Sequence, residues 1–517
     1  MTIFRTVYLL GAVMLLLGLL GSDPAAADSP GSGGDVSVAQ TLGDRELTFV
    51  LRRVTAVPGP LRIDVITHVG TAPGSLKVAL TPTDASTAEA AIPPGTTTSR
   101  GTVPLGATPG SYGATLRVDR VGPWQLAVND GTRTALVPFV VTTAATSPAE
   151  KAVYAGFVTA GALLLVSMLV ATRVRRAAWV AVPAIGTVAG LSVALTAAVL
   201  SASLPLPPQP GLQTDATVQN ATDPYALAKP LTSDYSRPPA LLTVQARAPV
   251  AGRSTDLTLA LTDASTGRPV DDLVVHDDAF LHLLVVGPAG QLWHLHPIRT
   301  APGTYQVQMT LPQRGHYAVS AEVERLGGGV QLLRSASGVT VARGTPTTPQ
   351  PAPLAIAAGR YATATLAGRK VSVNTTRAVA EAATTIIANY GRSAQLQPWL
   401  GMLGHLIVVG PFSDAQLKSD LGTAAQTAPV WAHGHSMGDL SPLRMSDMGD
   451  GSSSMAGMSG LMPANGDSAA DETVAAFGQS ISFTFHFPQA GHYLMWIQAE
   501  LDYRILTVPI SLTVSTS

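Results

Sequence analysis

Short runs of Val, Leu, Ile and Thr alternating with polar residues fill the chain from 36 to 141 (ELTFVLRRV, LRIDVITHV, SLKVALTP, GATLRVDRV, WQLAVND, ALVPFVV), with Pro, Gly and Asp between them. A period of two broken by turn residues predicts strands, and their spacing predicts a β-sandwich. The pattern then changes. Residues 153–172 and 177–200 are continuous apolar runs, each long enough to cross a bilayer as a helix and joined by Arg173-Val174-Arg175-Arg176. Three arginines in so short a connection place it on the cytoplasmic side, so both flanking regions are expected outside. In the second run Gly186, Gly190, Ala194 and Ala198 recur at every fourth position, a small-residue stripe that lets another helix approach, most simply the hairpin partner.

Strand-like runs resume after a Pro-rich spacer at 201–236, and a second linker, GTPTTPQPAP at 344–353, divides them into regions 237–343 and 354–517. The stretch TRAVAEAATTIIANY (376–390) fits a helix or a strand pair equally by periodicity. The fold expected is mainly β: three immunoglobulin-like β-sandwich domains, with a transmembrane α-helical hairpin between the first (28–146) and the second, the hairpin occupying 152–200. Residues 1–27 read as a signal peptide, with an apolar segment from Val7 to Leu20 and cleavage after Ala27; an uncleaved anchor is the alternative.

Composition narrows the setting. Only 13% of the 517 residues are charged and 46% are apolar, which suits a membrane or envelope protein. A net charge of −1 gives no basic surface for nucleic acid. Cysteine is absent, so any soft-metal site must be made from Met and His.

Those residues are concentrated in an internal repeat. LHLLVVGP (281–288) matches GHLIVVGP (404–411), WHLHP (293–297) matches WAHGH (431–435), and LPQRGHY (311–317) matches FPQAGHY (487–493). The first domain keeps the frame without the histidines. Its PGSY (109–112) precedes Gly122-Pro123-Trp124 as PGTY precedes Gly315-His316-Tyr317, with Pro123 in place of the histidine.

On a strand, residues i and i+2 share a face about 7 Å apart, so His294 with His296, and His433 with His435, can each address one ion. His282 and His316 are candidate further ligands in the second domain and His405 and His492 in the third, which gives two separate sites. His276, followed by Asp277 and Asp278, can add a ligand or a supporting carboxylate to the second domain; the third reads QPWLGMLGH there, with Met402 nearby and no counterpart. Either His282 or His405 can instead be a hydrogen-bonded core histidine, and solitary His68 reads as structural. Trp293 and Trp431 read as packing anchors.

The third domain also carries a Met/His-rich insertion at 431–467, with Met437, Met445, Met448, Met455, Met458 and Met462 among Gly, Ser and Asp. Thioether is a soft ligand suited to Cu(I), and the segment has no apolar period that would make these residues core. Copper is therefore the cofactor expected, as Cu(I) at the loop and Cu(I) or Cu(II) at the histidines, ahead of zinc.

The set HDDAFLHLLVV, WHLHP and PQRGHY resembles the YtkA-like, heavy-metal-associated sandwiches of the bacterial envelope and, more distantly, CopC-type copper carriers. That resemblance covers about 60 residues of the second domain and, more weakly, its repeat. It implies copper handling. The CopC-type Cu(II) ligand at the mature N-terminus is not carried over, since Asp28 stands there.

No GxSxG, HExxH or P-loop occurs in a suitable context, so catalysis is not expected. The function expected is a membrane-anchored extracytoplasmic copper-binding protein for sequestration, resistance or delivery, with the metal ion, the membrane and an envelope copper-transport protein or cuproenzyme as partners. The alternative is a non-metal envelope scaffold or partner-binding sandwich protein.

Overall fold

The computed structural model describes residues 35–52, 54, 56–83, 95–141, 148–174, 176, 178–201, 239–325, 329–345, 353–356, 361–436, 472–474 and 477–516. The signal peptide (1–27) and all six loop methionines lie outside these residues.

The chain forms two compact units, one holding the helices and the other the sheets. In the first, Pro148–Arg173 and Ala178–Ser201 are helices long and apolar enough to cross a membrane. The glycines of the small-residue stripe meet the other helix of the pair. A Cβ on Gly190 would stand 3.0 Å from the Ala160 nitrogen, and one on Gly186 would stand 2.6 Å from Leu163. Helix backbones come this close only where side chains are absent.

The sheet unit is mainly β and contains three immunoglobulin-like sandwiches. The first pairs two four-stranded sheets built from Val36–Leu42 through Thr134–Val141. The second packs a four-stranded sheet on a six-stranded one, and the third a four-stranded sheet on a five-stranded one. The ambiguous stretch at 376–390 resolves as a turn leading into the strand Ala383–Asn389. There it pairs with Thr375 on one side and His486 on the other.

The strands His282–Val286 and Gly404–Phe412 explain why their sequences read as unbroken apolar runs: both of their faces are buried. Leu283 and Val285 point into the second sandwich and Leu406 and Val408 into the third. On the opposite faces, Leu284 and Val286 join Ile407, Val409, Leu494 and Trp496 in one apolar cluster. The two histidine-bearing sheets thus pack against each other.

The longer gap before His433 is filled by two short helices, Asp414–Leu417 and Leu421–Thr427, which dock on the second domain. Leu421 N donates to Pro288 O at 2.9 Å, and Gln426 Nε2 donates to Ser335 O.

Candidate metal centre

Strand register decides where each histidine goes. His282 lies opposite Glu322 on the neighbouring strand, and His405 lies opposite Gln498 in the equivalent ladder. Period-two alternation turns His282, His294, His405 and His433 toward the apolar face shared by the two sheets. The expected third-domain set of His405, His433 and His435 comes together, but the two sets are not separate, because His433 also joins His282 and His294. The histidines of both domains converge on one buried centre, with His294 and His433 rings 4.9 Å apart and His282 and His433 rings 5.3 Å apart.

The two halves repeat each other's hydrogen bonds. His282 Nε2 donates to the His276 carbonyl at 2.9 Å, and His405 Nε2 donates to the Trp399 carbonyl at 3.0 Å. A carbonyl only accepts, so the ring proton sits on Nε2 and Nδ1 keeps a bare lone pair. Across the interface, His294 Nδ1 meets Gln498 Oε1 at 2.8 Å and His433 Nδ1 meets Glu322 Oε1 at 3.2 Å. Both partners are acceptors, so in neutral His294 and His433 the bare atom is Nε2.

These bare nitrogens face one another. His282 Nδ1 is 3.2 Å from His294 Nε2, and His405 Nδ1 is 3.3 Å from His433 Nε2. Lone pairs repel at that range unless a cation lies between them. The spacing matches the edge of a tetrahedron of imidazole ligands, about 3.3 Å for metal–nitrogen bonds near 2.0 Å. Two groups of three imidazoles have ligand atoms within 4.8 Å of one another: His282, His294 and His433, and His405, His433 and His435. His433 belongs to both.

Burial, followed by the charges of neighbouring imidazoles, holds His282, His294 and His405 well below the ordinary histidine pKa. His435 is lowered to about 4, again mainly by burial. Neutral imidazole is the form that ligates metal.

His296 departs from the symmetry. In the third domain His435 stays on the ladder, opposite His405. In the second the ladder ends at Leu295, because the first domain takes the next residue: Thr41 N donates to His296 O at 2.6 Å, and His296 N donates to Thr41 Oγ1 at 2.8 Å. The His296 ring pairs with Glu46 of the first domain while its Nε2 is buried without a partner.

His276 lies beside the centre and forms a group with Asp277 and Glu322. Burial opposes its charge, but hydrogen bonds to Asp277, Glu322 and Glu324 outweigh burial and raise its pKa to about 11. Its counterpart in the third domain is Trp399, also six residues before the strand histidine. Both open a turn with paired backbone hydrogen bonds, His276 to Ala279 and Trp399 to Met402. The Trp399 ring lies 5.0 Å from His405 and 5.3 Å from His294, closing one side of the centre.

His316 and His492 are not brought into this centre. His316 Nε2 contacts Gln426 Oε1 at 3.2 Å, and His492 pairs with Asp414 at 2.7 Å. Their repetition serves the contact with the inserted helices. Trp293 packs on Tyr317, and Trp431 Nε1 donates to Ala425 O, as packing residues do. His68 forms a buried pair with Glu500, linking the first domain to the third.

Sequence reasoning missed Glu322, Gln498, Glu46 and Trp399. The first two carry a signal: extending the repeat GHYAVSAE against GHYLMWIQ puts Glu322 opposite Gln498, each seven residues after its glycine in an otherwise buried strand.

No family model matches the chain, and no curated protein matches it. Among solved structures it is similar to the tetra-tandem repeat in the extending region of a large adhesion protein, at 10% identity over 93% of this chain and 74% of that one, with a TM-score of 0.16. It is also similar to the bacterial integrin-binding protein invasin, at 10% identity over 91% of this chain and 60% of that one, TM-score 0.13. The chicken CNTN1 FN1–FN3 domains match at 7% identity over 94% and 99% of the two chains, TM-score 0.13. At such identities and scores nothing about binding passes from these proteins to this chain.

Proposed function

We propose that the chain is a membrane-anchored metal-binding protein that holds a first-row transition ion between its second and third sandwiches. The observation that carries the reading is the meeting of bare ring nitrogens, His282 with His294 and His405 with His433, each fixed by an acceptor on its other nitrogen. Such outer hydrogen bonds orient ligating imidazoles in metal sites. Copper is favoured over zinc by the neighbouring sequence: six methionines follow His435, and soft thioethers there suit capture of Cu(I) before transfer to imidazole. The arginine-rich connection of the hairpin favours an extracytoplasmic position for the sandwiches. The resemblance to YtkA-like domains points to the same chemistry. Binding and transfer, rather than catalysis, is the activity proposed.

The test is a competition titration of the full chain in detergent with Cu(I), Cu(II) and Zn(II). Replacing His294 or His433 by Ala is expected to weaken binding at least a hundredfold, and replacing His316 or His492 to leave it unchanged. Equal affinity in all four variants would refute the reading.

A second reading, a non-metal scaffold, is favoured by the apolar cluster of Leu284, Ile407, Trp431 and Trp496, which joins the two domains without a metal. It predicts no tight uptake in the same titration.

A further inference from the structure

We propose that His276, Asp277 and Glu322 form a second, outer site for a divalent first-row cation, beside the imidazole centre and chemically distinct from it. It rests on the proposed function only for its inner neighbour; the ligands themselves are different residues.

The three side chains each place one ligand atom within 4.8 Å of the others. His276 Nε2 is 2.9 Å from Asp277 Oδ2 and 3.6 Å from Glu322 Oε1. One imidazole and two carboxylates make a harder donor set than the imidazoles inside, and a dication that takes the place of the proton the carboxylates hold on His276 meets two negative charges there. Glu324 adds a third carboxylate 3.3 Å from His276 Nδ1. Asp277 Oδ2 also stands 3.3 Å from His435 Nδ1, so this one oxygen faces an imidazole of each site.

Exposure grades from one site to the other. The His276 side chain is 23% accessible and that of Glu324 33%; on the inner side the His435 side chain keeps 21%, whereas His433, which belongs to both imidazole groups, is at 0%. The outer group therefore meets solvent, and the shared imidazole of the inner centre does not. Glu322 connects them, since the same Oε1 that faces His276 also accepts from His433 Nδ1. An ion held outside is one side chain away from the imidazoles, which gives the buried centre a route for loading. The third domain has no such station, because Trp399 and Leu400 occupy the positions of His276 and Asp277.

The experiment is titration of the full chain in detergent with Cu²⁺, read by calorimetry and by electron paramagnetic resonance. Two equivalents are expected, the weaker showing hyperfine coupling to a single nitrogen. His276→Gln and Asp277→Asn should each remove the weaker equivalent and leave the tighter within about threefold; His294→Ala should do the reverse. Wild-type protein that binds one equivalent, or two equivalents retained in both outer variants with unchanged circular dichroism, would overturn the outer site while leaving the inner one standing. Loss of the weaker equivalent in the outer variants, with His294→Ala binding like wild type, would support the outer site and remove the inner centre instead.

Discussion

His433 of the third domain places Nδ1 3.2 Å from Glu322 Oε1 of the second, so each domain orients a histidine of the other. The reciprocal contact is His294 with Gln498. The group of His282, His294 and His433 therefore exists only in the docked pair of sandwiches, whereas His405, His433 and His435 all come from the third.

The reciprocity can be tested without touching a ligand. Gln498→Leu removes the acceptor for His294 Nδ1–H and frees the ring tautomer. Loss of such an orienting contact costs about 10- to 100-fold in metal affinity. That loss is the expected result of a competition titration, with a thermal melt confirming that the domains remain folded.

Acid stability provides a second test. His435 has a folded pKa of about 4, and burial keeps His282, His294 and His405 well below their ordinary value. As pH falls below about 6.5 the unfolded chain takes up protons on these rings that the folded chain does not, so unfolding is favoured. Stability of the metal-free protein should fall between pH 6.5 and pH 4, with His435 contributing about 1.4 kcal/mol per pH unit. Chemical denaturation across that range checks it, and His435→Gln should reduce the slope.

His68 behaves in the opposite sense. Burial disfavours its charge, but the hydrogen bond to Glu500 prevails and raises its pKa to about 9. Its contribution is fully present below about pH 6.5 and is lost as pH rises through 9. His68→Leu leaves Glu500 buried without its partner, a change that costs about 3–5 kcal/mol. Denaturation midpoints should fall accordingly, and the variant should lose the decline between pH 6.5 and 9.

The repeat, the sandwich pattern and the histidine pairs were legible because each depends on local spacing. What spacing could not carry was the meeting of the two domains. Its trace was present in the unbroken apolar runs around His282 and His405, which mark strands covered on both faces, but such runs do not name what covers the second face. His316 and His492 repeat as faithfully as the ligand candidates and yet sit against the inserted helices, because repetition preserves packing as well as chemistry. Glu322 and Gln498 were recoverable from a longer alignment of the repeat. Glu46 was not, since nothing in the first domain's sequence marks the edge that receives His296. Trp399 replaces His276 at a shared turn, a substitution that hides their equivalence.

The most direct measurement is an anomalous difference map from crystals of the copper-loaded full chain, collected at the copper edge. A peak enclosed by His282, His294 and His433, with His405 on its far side, is the predicted result. Copper-loaded crystals with no peak among these imidazoles would contradict the account.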